Sequence, residues 1–244
     1  MNIDKLQFTQ FGNRAILILW EDKMDVNILS EILYVKKNIE EIKLKEIVEV
    51  NNTYNSLIIN YVFAINNIYD EISVLKDLLK KANIDKIYKG SKYILPVCYH
   101  EKFSLDLEEV CAQKKLEVEE FISTHTTPIY TLYFMGFLPG FLYLGGLPKS
   151  LQISRKKTPR LRVEKGSVGI GEKQTGIYPQ ISAGGWQIIG NCPLTLFDAS
   201  LKKPTPFSAG DQIKFKAVSL EEHQDILNKM ELGEYRLEKV KEWE

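Results

Sequence analysis

The sequence predicts an α+β protein with two domains, an N-terminal α/β domain at residues 1–98 and a C-terminal β-barrel domain at residues 99–244. Eight of the nine prolines lie from Pro128 onward, and 11 of the 15 glycines lie between Gly136 and Gly190. Proline and glycine mark turns and interrupt long helices, so the second part is predicted to consist of short strands and loops. The first part is rich in Ile, Lys, Asn and Glu and contains two stretches with the apolar spacing of helices.

The order of elements in the first domain follows from this apolar periodicity. Isoleucines, leucines and valines from Ile28 to Ile42 recur at helical spacing, and Asp25 precedes them as an N-cap. The predicted elements are a strand at Ala15–Trp20 after an extra strand near Ile3–Phe8, a helix from Asp25, strands at Glu46–Asn51 and Ser56–Val62, a helix from Ile68 to Ala82, and a strand at Lys92–Cys98. This order is the split βαβ, ferredoxin-like arrangement. Because that fold serves many functions, it predicts none.

The second domain begins with two short predicted helices, Asp106–Lys115 and Glu117–Thr124, whose acidic first turns suit the helix dipole. From Ile129 the pattern changes to short apolar runs separated by turn signals. These runs are IYTLYF, LQIS, SVGIG, GWQIIG, LTLFD and QIKFKAV. Strands at this density predict a closed or nearly closed β-barrel. The tail from Leu220 is predicted to form a surface helix followed by a strand or coil.

Composition excludes several functional classes. The 32 basic and 32 acidic side chains give a net charge of zero, which offers no reason to expect nucleic acid or acidic lipid as a partner. The sequence contains no apolar stretch long enough for a transmembrane helix and no secretory signal, and its three cysteines do not predict a disulfide framework. We therefore expect a cytoplasmic protein. Neither a nucleophile elbow nor the local spacing of a zinc site is present, so no metal site is predicted.

A glycine-rich segment, Gly166–Lys173, has the glycine spacing of a nucleotide-binding loop. The lysine and hydroxyl residue that should follow the second glycine are replaced by Glu172 and Lys173, and a carboxylate there repels phosphate. The segment also follows a basic turn rather than a buried parallel strand. We therefore interpret these glycines as barrel turns in preference to an ATP site.

The basic segment Ser154–Lys165 allows two interpretations. It is either a solvated loop that leads into a strand, or a site for an anion. Arg160 and Arg162 are two residues apart, so in a strand they lie on one face and two guanidiniums there can hold a carboxylate or phosphate.

Longer motifs resemble a known family. Tyr133–Pro148 reads YFMGFLPGFLYLGGLP, and Thr158–Asp198 contains TPRLRVEKGSVG, QTGIYP, SAGGWQIIG and CPLTLFD. Phe11–Ala15 (FGNRA) and Pro96–Tyr99 (PVCY) extend the likeness over nearly the whole chain. Together these motifs resemble the family of the 5-oxoprolinase B subunit, which is also known as allophanate hydrolase subunit 1 and includes the Kip-type histidine kinase inhibitors.

The resemblance implies a fold, an activity and partners. The expected fold is an N-terminal α/β domain followed by a cyclophilin-like β-barrel. The implied activity is that of one subunit of an ATP-dependent 5-oxoprolinase, which opens 5-oxo-L-proline to L-glutamate together with two further subunits, a cyclophilin-like one of type C and one of type A. The alternatives are an inhibitor of a sensor histidine kinase and a subunit of an allophanate or urea amidolyase system. ATP is then used by the complex, since this chain carries no nucleotide motif.

Candidate site residues come from the barrel motifs. His125 is either a hydrogen-bonded structural residue or a general acid/base at the barrel mouth, because an ordinary histidine titrates near neutral pH. Arg160 and Arg162 complete the candidate catalytic set. Aromatic, amide and hydroxyl groups next to glycines either line a pocket or form core and turns. The candidate pocket residues are Phe134, Gly136, Phe137, Gln174, Thr175 and Tyr178, and Trp186 is the candidate partner contact.

Overall fold

The computed structural model describes residues 2–42, 45–80 and 90–243. The chain divides into two compact units, Met1–Lys89 and Gly90–Glu244. In the first unit a four-stranded antiparallel sheet has the order β1-β2-β4-β3. Its elements are β1 (Gln7–Phe11), β2 (Ala15–Leu19), α1 (Val26–Ile42), β3 (Ile47–Asn52), β4 (Ser56–Tyr61) and α2 (Ile68–Lys80). One face of the sheet and both helices share an apolar core, because residues such as Ile16, Ile59, Ile32 and Leu75 are fully buried in one cluster.

The ferredoxin-like order predicted for the first unit is not confirmed. The predicted last strand, Lys92–Cys98, pairs with strands of the second unit, so the predicted boundary after residue 98 lies inside that unit. Strand β1 fills the edge position next to β2 instead, pairing with it in an antiparallel hairpin. The extra strand predicted near Ile3–Phe8 starts later, at Gln7, after a short 3-10 helix at Ile3–Lys5. Ala82, predicted to end the second helix, lies outside the described residues.

The second unit is a closed barrel of seven strands. Its elements are β5 (Lys92–Cys98), α3 (Leu107–Lys114), α4 (Val118–Thr126), β6 (Ile129–Met135), β7 (Leu142–Gly145), β8 (Arg160–Val163), β9 (Ser167–Gly171), β10 (Gln174–Ile177), β11 (Ser182–Gly184), β12 (Gln187–Asn191), β13 (Gln212–Val218), α5 (Leu220–Glu231) and β14 (Glu238–Val240). The barrel order is β12-β9-β10-β7-β6-β13-β5, and a bridge between Asn191 and Cys98 closes it. The predicted α+β class with a β-barrel is therefore confirmed.

Three features complete the second unit. Strands β8 and β11 pair only with each other, as a small two-stranded sheet, and β14 lies against the first half of β5. Helix α5 begins with a capping box between Ser219 and Glu222, and α5 with β14 confirms the predicted tail. Two predicted strands are wrong: Leu151–Ser154 contributes only an isolated bridge at Ile153, and Leu194–Asp198 is irregular.

Apolar side chains fill the barrel interior. Leu95, Leu132, Leu144, Ile170 and Ile213 come from five different strands, and all are fully buried in one cluster. Such a filled interior is a packed core and leaves binding to the outer surfaces and ends of the barrel. Among the described residues, no helix has both the length and the apolar content that crossing a membrane requires.

Candidate functional site

His125 is buried in the core of the second unit. It is the last-turn residue of α4 and is fully buried, with its ring stacked on Phe215 at 4.9 Å between centroids. Its Nδ1 lies 2.7 Å from the Tyr99 hydroxyl, and its Nε2 lies 3.1 Å from Thr175 Oγ1. Both ring nitrogens are therefore hydrogen-bonded within the core.

The partners of His125 determine its tautomer. Thr175 Oγ1 donates its only proton to the Gly169 carbonyl at 3.0 Å, so it accepts a hydrogen bond from Nε2–H of His125. Nδ1 then accepts from the Tyr99 hydroxyl. Burial lowers the pKa of His125 to about 3, so the ring is neutral at pH 7. These contacts favour the structural alternative over a general acid/base.

Asp106 is the centre of a charged cluster that the sequence motifs do not reveal. Its side chain is 1% exposed and accepts hydrogen bonds from Lys156 Nζ at 2.9 Å and from Arg160 Nη1 at 2.8 Å. Arg160 Nη2 donates to Oδ1, the oxygen bound by Lys156, at 2.5 Å, and the Ile188 backbone N–H donates to Oδ2, the oxygen bound by Arg160 Nη1, at 2.7 Å. Burial raises the pKa of Asp106, but these hydrogen bonds outweigh burial and lower it, so the carboxylate stays charged.

The two candidate arginines of β8 do not form an anion site together. Arg160 forms its ion pair with Asp106 from a side chain that is about one quarter exposed. Arg162 is largely exposed and pairs with Glu164, two residues further along the chain, at 2.6 Å. Because each guanidinium has a carboxylate partner of its own, this geometry does not support the anion-site interpretation of the two arginines.

Aromatic side chains cluster on the outer side of the barrel. Phe134 and Tyr143, which face each other across β6 and β7, stack with centroids 4.1 Å apart and a 12° angle between their planes. Tyr143 continues edge-on to Trp186 at 5.7 Å, and Phe141 contacts Tyr143, Tyr178 and Trp186. We call Phe134, Tyr143 and Trp186 the aromatic face. Phe134 and Tyr143 are partly exposed, so a ligand can reach this face.

Glycines allow Trp186 to lie flat against the barrel. A Cβ at Gly171 would sit 2.6 Å from an indole carbon of Trp186, and one at Gly176 would sit 2.9 Å from Phe141. Trp186 is only 4% exposed within this chain, so it offers little surface to another protein. The partner-contact role predicted for Trp186 is not supported by this geometry.

Gln174 and Thr175 point to opposite sides of strand β10, as neighbours in a strand do. Thr175 points into the barrel toward His125, which removes it from the predicted pocket. Gln174 stands opposite Gly171, the glycine covered by Trp186, and therefore lies on the outer side with the aromatic face. Its Nε2 is buried and has no hydrogen-bond partner among the described residues.

The remaining candidates lie around the turn that joins β6 to β7. Phe137 is 64% exposed and has a φ of +64°, a conformation that side chains other than glycine rarely adopt. Its ring contacts Phe141 edge-on at 5.9 Å, and Gly136 lies beside Phe134. Tyr178 is 1% exposed and belongs to the packed layer beneath the aromatic face. Phe134, Gly136, Phe137 and Gln174 thus lie on or next to this face.

Arg155 is a site residue that the sequence motifs do not distinguish from the rest of its basic segment. Its guanidinium carbon lies 5.7 Å from the Trp186 ring centroid, within the range of a cation–π contact. Burial raises the pKa of Tyr143, and the positive charge of Arg155 acts in the opposite direction. Arg155 therefore lies over one edge of the aromatic face.

The residues present do not fit an ATP site at the glycine-rich segment. Ser167–Gly171 forms β9, all five residues of which are buried and paired with β10 and β12. Its amides are used in the sheet rather than directed at a ligand. Within residues 2–42, 45–80 and 90–243, no cluster of His, Cys, Asp or Glu has the arrangement of a metal site.

Comparison with known proteins gives consistent matches. Residues 6–207 match the model of the family described as carboxyltransferase domain, subdomain C and D. The chain is 35% identical over 227 residues to the 5-oxoprolinase B subunit of Bacillus subtilis, covering 88% of this chain and 94% of that protein. It is 46% identical over 134 residues to the Haemophilus influenzae protein of the same name, covering 55% of this chain and 63% of the relative.

A solved structure shows the same fold. Urea carboxylase of Kluyveromyces lactis superposes with a TM-score of 0.80 over 96% of this chain, at 20% sequence identity. The matched part is 24% of that longer chain. At this level of identity the likeness concerns the fold alone.

Proposed function

Because the chain belongs to the carboxyltransferase subdomain C and D family and, within it, to the group of 5-oxoprolinase B subunits, we propose that it is the B-type subunit of a hydrolase that opens a cyclic amide. The observation that supports this most strongly is the alignment with the Bacillus subtilis protein, which covers 94% of that relative. A match of this extent includes both units of the chain.

The proposed substrate is 5-oxo-L-proline, and the proposed product is L-glutamate. Ring opening breaks the bond between the carbonyl carbon and the ring nitrogen; water supplies a hydroxyl to the carbon and a proton to the nitrogen. ATP supplies free energy for this step when it is bound by the complex. The proposed partners are the cyclophilin-like C-type and the A-type subunits. Because the amides of Ser167–Gly171 are paired within the barrel, this segment offers no ATP site, and we propose that the partners supply it.

The contribution of this chain is a binding surface. Phe134 and Tyr143, the stacked and partly exposed members of the aromatic face, provide a flat apolar surface, and Gln174 and Arg155 provide a hydrogen-bond donor and a positive charge next to the face. A planar amide ring fits such a surface better than a flexible chain does, because it loses no internal rotation on binding.

The test is release of glutamate and ADP from 5-oxo-L-proline and ATP. We would assay this chain alone and then together with the A-type and C-type subunits from the same genome. We expect turnover only in the full mixture. A stable complex that does not turn over 5-oxo-L-proline would contradict the proposal, and urea-type amides and inhibition of a histidine kinase would be assayed next.

A further inference from the structure

We propose that the aromatic face is the substrate subsite of this chain and that it binds a small planar amide that also carries a carboxylate. In this arrangement Gln174 donates a hydrogen bond to the ring carbonyl, and Arg155 holds the carboxylate. This inference rests on the proposed function, since it assigns residues to a substrate of that chemical class.

The first argument is the unsatisfied amide of Gln174. Among the described residues, Gln174 Nε2 is one of two buried side-chain polar atoms without a hydrogen-bond partner, the other being Gln187 Oε1 of β12. A buried donor without an acceptor is costly, so its persistence calls for an explanation. A carbonyl oxygen of a ligand on the aromatic face would accept this hydrogen bond.

The second argument is the availability of the Arg155 charge. Three of its basic neighbours have carboxylate partners, since Lys156 and Arg160 bind Asp106 and Arg162 binds Glu164. Arg155 has no ion pair within the described part of the chain, and only its backbone N–H approaches a carboxylate, Glu172 Oε1 at 3.4 Å. An exposed guanidinium that lies over an aromatic ring and is free of a carboxylate is suited to bind one from a ligand.

The third argument is the shape and rigidity of the surface between these two groups. Phe134 and Tyr143 stack nearly parallel on two neighbouring barrel strands, and Trp186 is fixed against glycines. Gln174 itself stands on strand β10. Groups that project from strands keep their positions better than groups on loops, so the surface is preorganised for one ligand orientation.

The ligand class follows from these groups together. Flat aromatic walls select a flat, compact ring; a single amide donor selects a carbonyl; a guanidinium selects a carboxylate. 5-Oxo-L-proline has all three features. 2-Pyrrolidinone has the ring carbonyl without the carboxylate, and L-proline has the carboxylate without the ring carbonyl. These three compounds are therefore sufficient to test each contact by itself.

The experiment measures dissociation constants of the three compounds by ligand-detected NMR, on the full chain and on the complex with its partner subunits. We expect Gln174→Leu to weaken 5-oxo-L-proline and 2-pyrrolidinone by about tenfold, the effect of one lost hydrogen bond to a carbonyl, and to leave L-proline unchanged. Arg155→Met should weaken 5-oxo-L-proline and L-proline and leave 2-pyrrolidinone unchanged. The matched controls are Gln113→Leu, an exposed glutamine of α3, and Arg162→Met, an exposed arginine of β8.

The outcomes separate the inference from the proposed function. Turnover of 5-oxo-L-proline by the complex, with binding unaffected in both variants, would overturn the subsite and leave the function standing. Absence of turnover, with the selective losses in binding still observed, would support the subsite and overturn the function. Failure of the wild-type chain and complex to bind any of the three compounds would overturn the subsite.

Discussion

At the scale of single residues, His125 is a titratable side chain with a structural role in the core. Its ring is fully buried, both nitrogens are hydrogen-bonded to side chains, and Tyr130 donates a hydrogen bond to its backbone carbonyl at 2.8 Å. A second proton on the ring would have no acceptor, since Nδ1 already accepts from Tyr99. Folding therefore requires the neutral form.

This requirement predicts that His125 makes stability depend on pH. The pKa is lowered from 6.5 to about 3 in the folded state, so below pH 6.5 the unfolded chain binds a proton that the folded chain does not. The contribution of neutral His125 is complete above pH 6.5 and is lost as the pH falls toward 3. Between pH 7 and pH 5 the free energy of unfolding should fall by about 2 kcal/mol from this group. Urea unfolding of the wild type and of His125→Gln at the two pH values measures it.

The control for this measurement is His100→Gln, since His100 is exposed. We expect the His100 variant to keep the pH dependence of the wild type. His125→Gln should be less stable at pH 7 and should lose less stability on acidification. If the free energy of unfolding changed equally with pH in all three proteins, the protonation of His125 would not be linked to folding.

Single residues also show what a motif can and cannot predict. His125 could be identified from the sequence because it lies in a recognisable segment. Its structural and catalytic interpretations differ in whether the side chain is buried, and the residues of the segment do not indicate this. Asp106 could not be found, because its partners Lys156 and Arg160 lie 50 and 54 residues away along the chain. Arg155 could not be distinguished for a different reason: it lies among several basic residues, and its contact with the Trp186 ring is visible only in the structure.

At the scale of elements, strand β8 shows how two similar side chains acquire different roles. Arg160 and Arg162 stand two residues apart, but only Arg160 reaches the buried carboxylate of Asp106. The Asp106 backbone N–H also donates to the Ile188 carbonyl of β12, and the Ile188 N–H donates to the Asp106 carboxylate. The cluster thus joins the start of α3, the basic segment and a barrel strand.

We predict that Asp106→Ala destabilises the chain by about 3 kcal/mol, because it removes the carboxylate partner of Arg160 and the nearer of the two carboxylates at Lys156, and leaves the Ile188 N–H without an acceptor. Arg160→Ala should also lower the melting temperature, because Arg160 is an ion-pair partner of the buried Asp106. Neither interpretation made from the sequence, a solvated loop or an anion site, includes this contact. Thermal unfolding of Asp106→Ala, of Arg160→Ala and of the double variant tests this. The loss of stability in the double variant should be smaller than the sum of the losses in the two single variants. Arg162→Ala is the matched control and should leave the melting temperature unchanged; an Asp106→Ala variant as stable as this control would contradict the prediction.

Apolar periodicity predicted most elements but not always their partners. Helix α1 and strands β2 and β4 were predicted because each carries its own pattern of buried residues. Strand β5 was predicted as a strand and assigned to the wrong sheet, since KYILPVC fits equally well in either unit. The pairing that decides between them is with β13, more than a hundred residues further along the chain.

At the scale of the whole molecule, strand β5 decides where along the chain the second unit begins. It is the first element of the second unit, pairs in parallel with β13 along its entire length, and meets β12 where the barrel closes. Tyr93, Leu95 and Val97 of this strand are buried in the barrel core. The domain boundary predicted after residue 98 therefore separates β5 from the other barrel strands, whereas the structural division after Lys89 keeps all seven together.

This difference predicts opposite behaviour for two fragments. A chain of residues 90–244 contains all seven barrel strands and should unfold in one cooperative transition with an ordered near-UV circular dichroism spectrum. A chain of residues 99–244 lacks β5 and with it three core side chains, each worth about 2–5 kcal/mol. Their sum of about 6–15 kcal/mol is comparable to the 5–15 kcal/mol that stabilises a typical domain. It should show no cooperative transition. If both fragments folded alike, β5 would not be required to close the barrel; if neither folded, the barrel would depend on the first unit, and its structural boundary would not be a folding boundary.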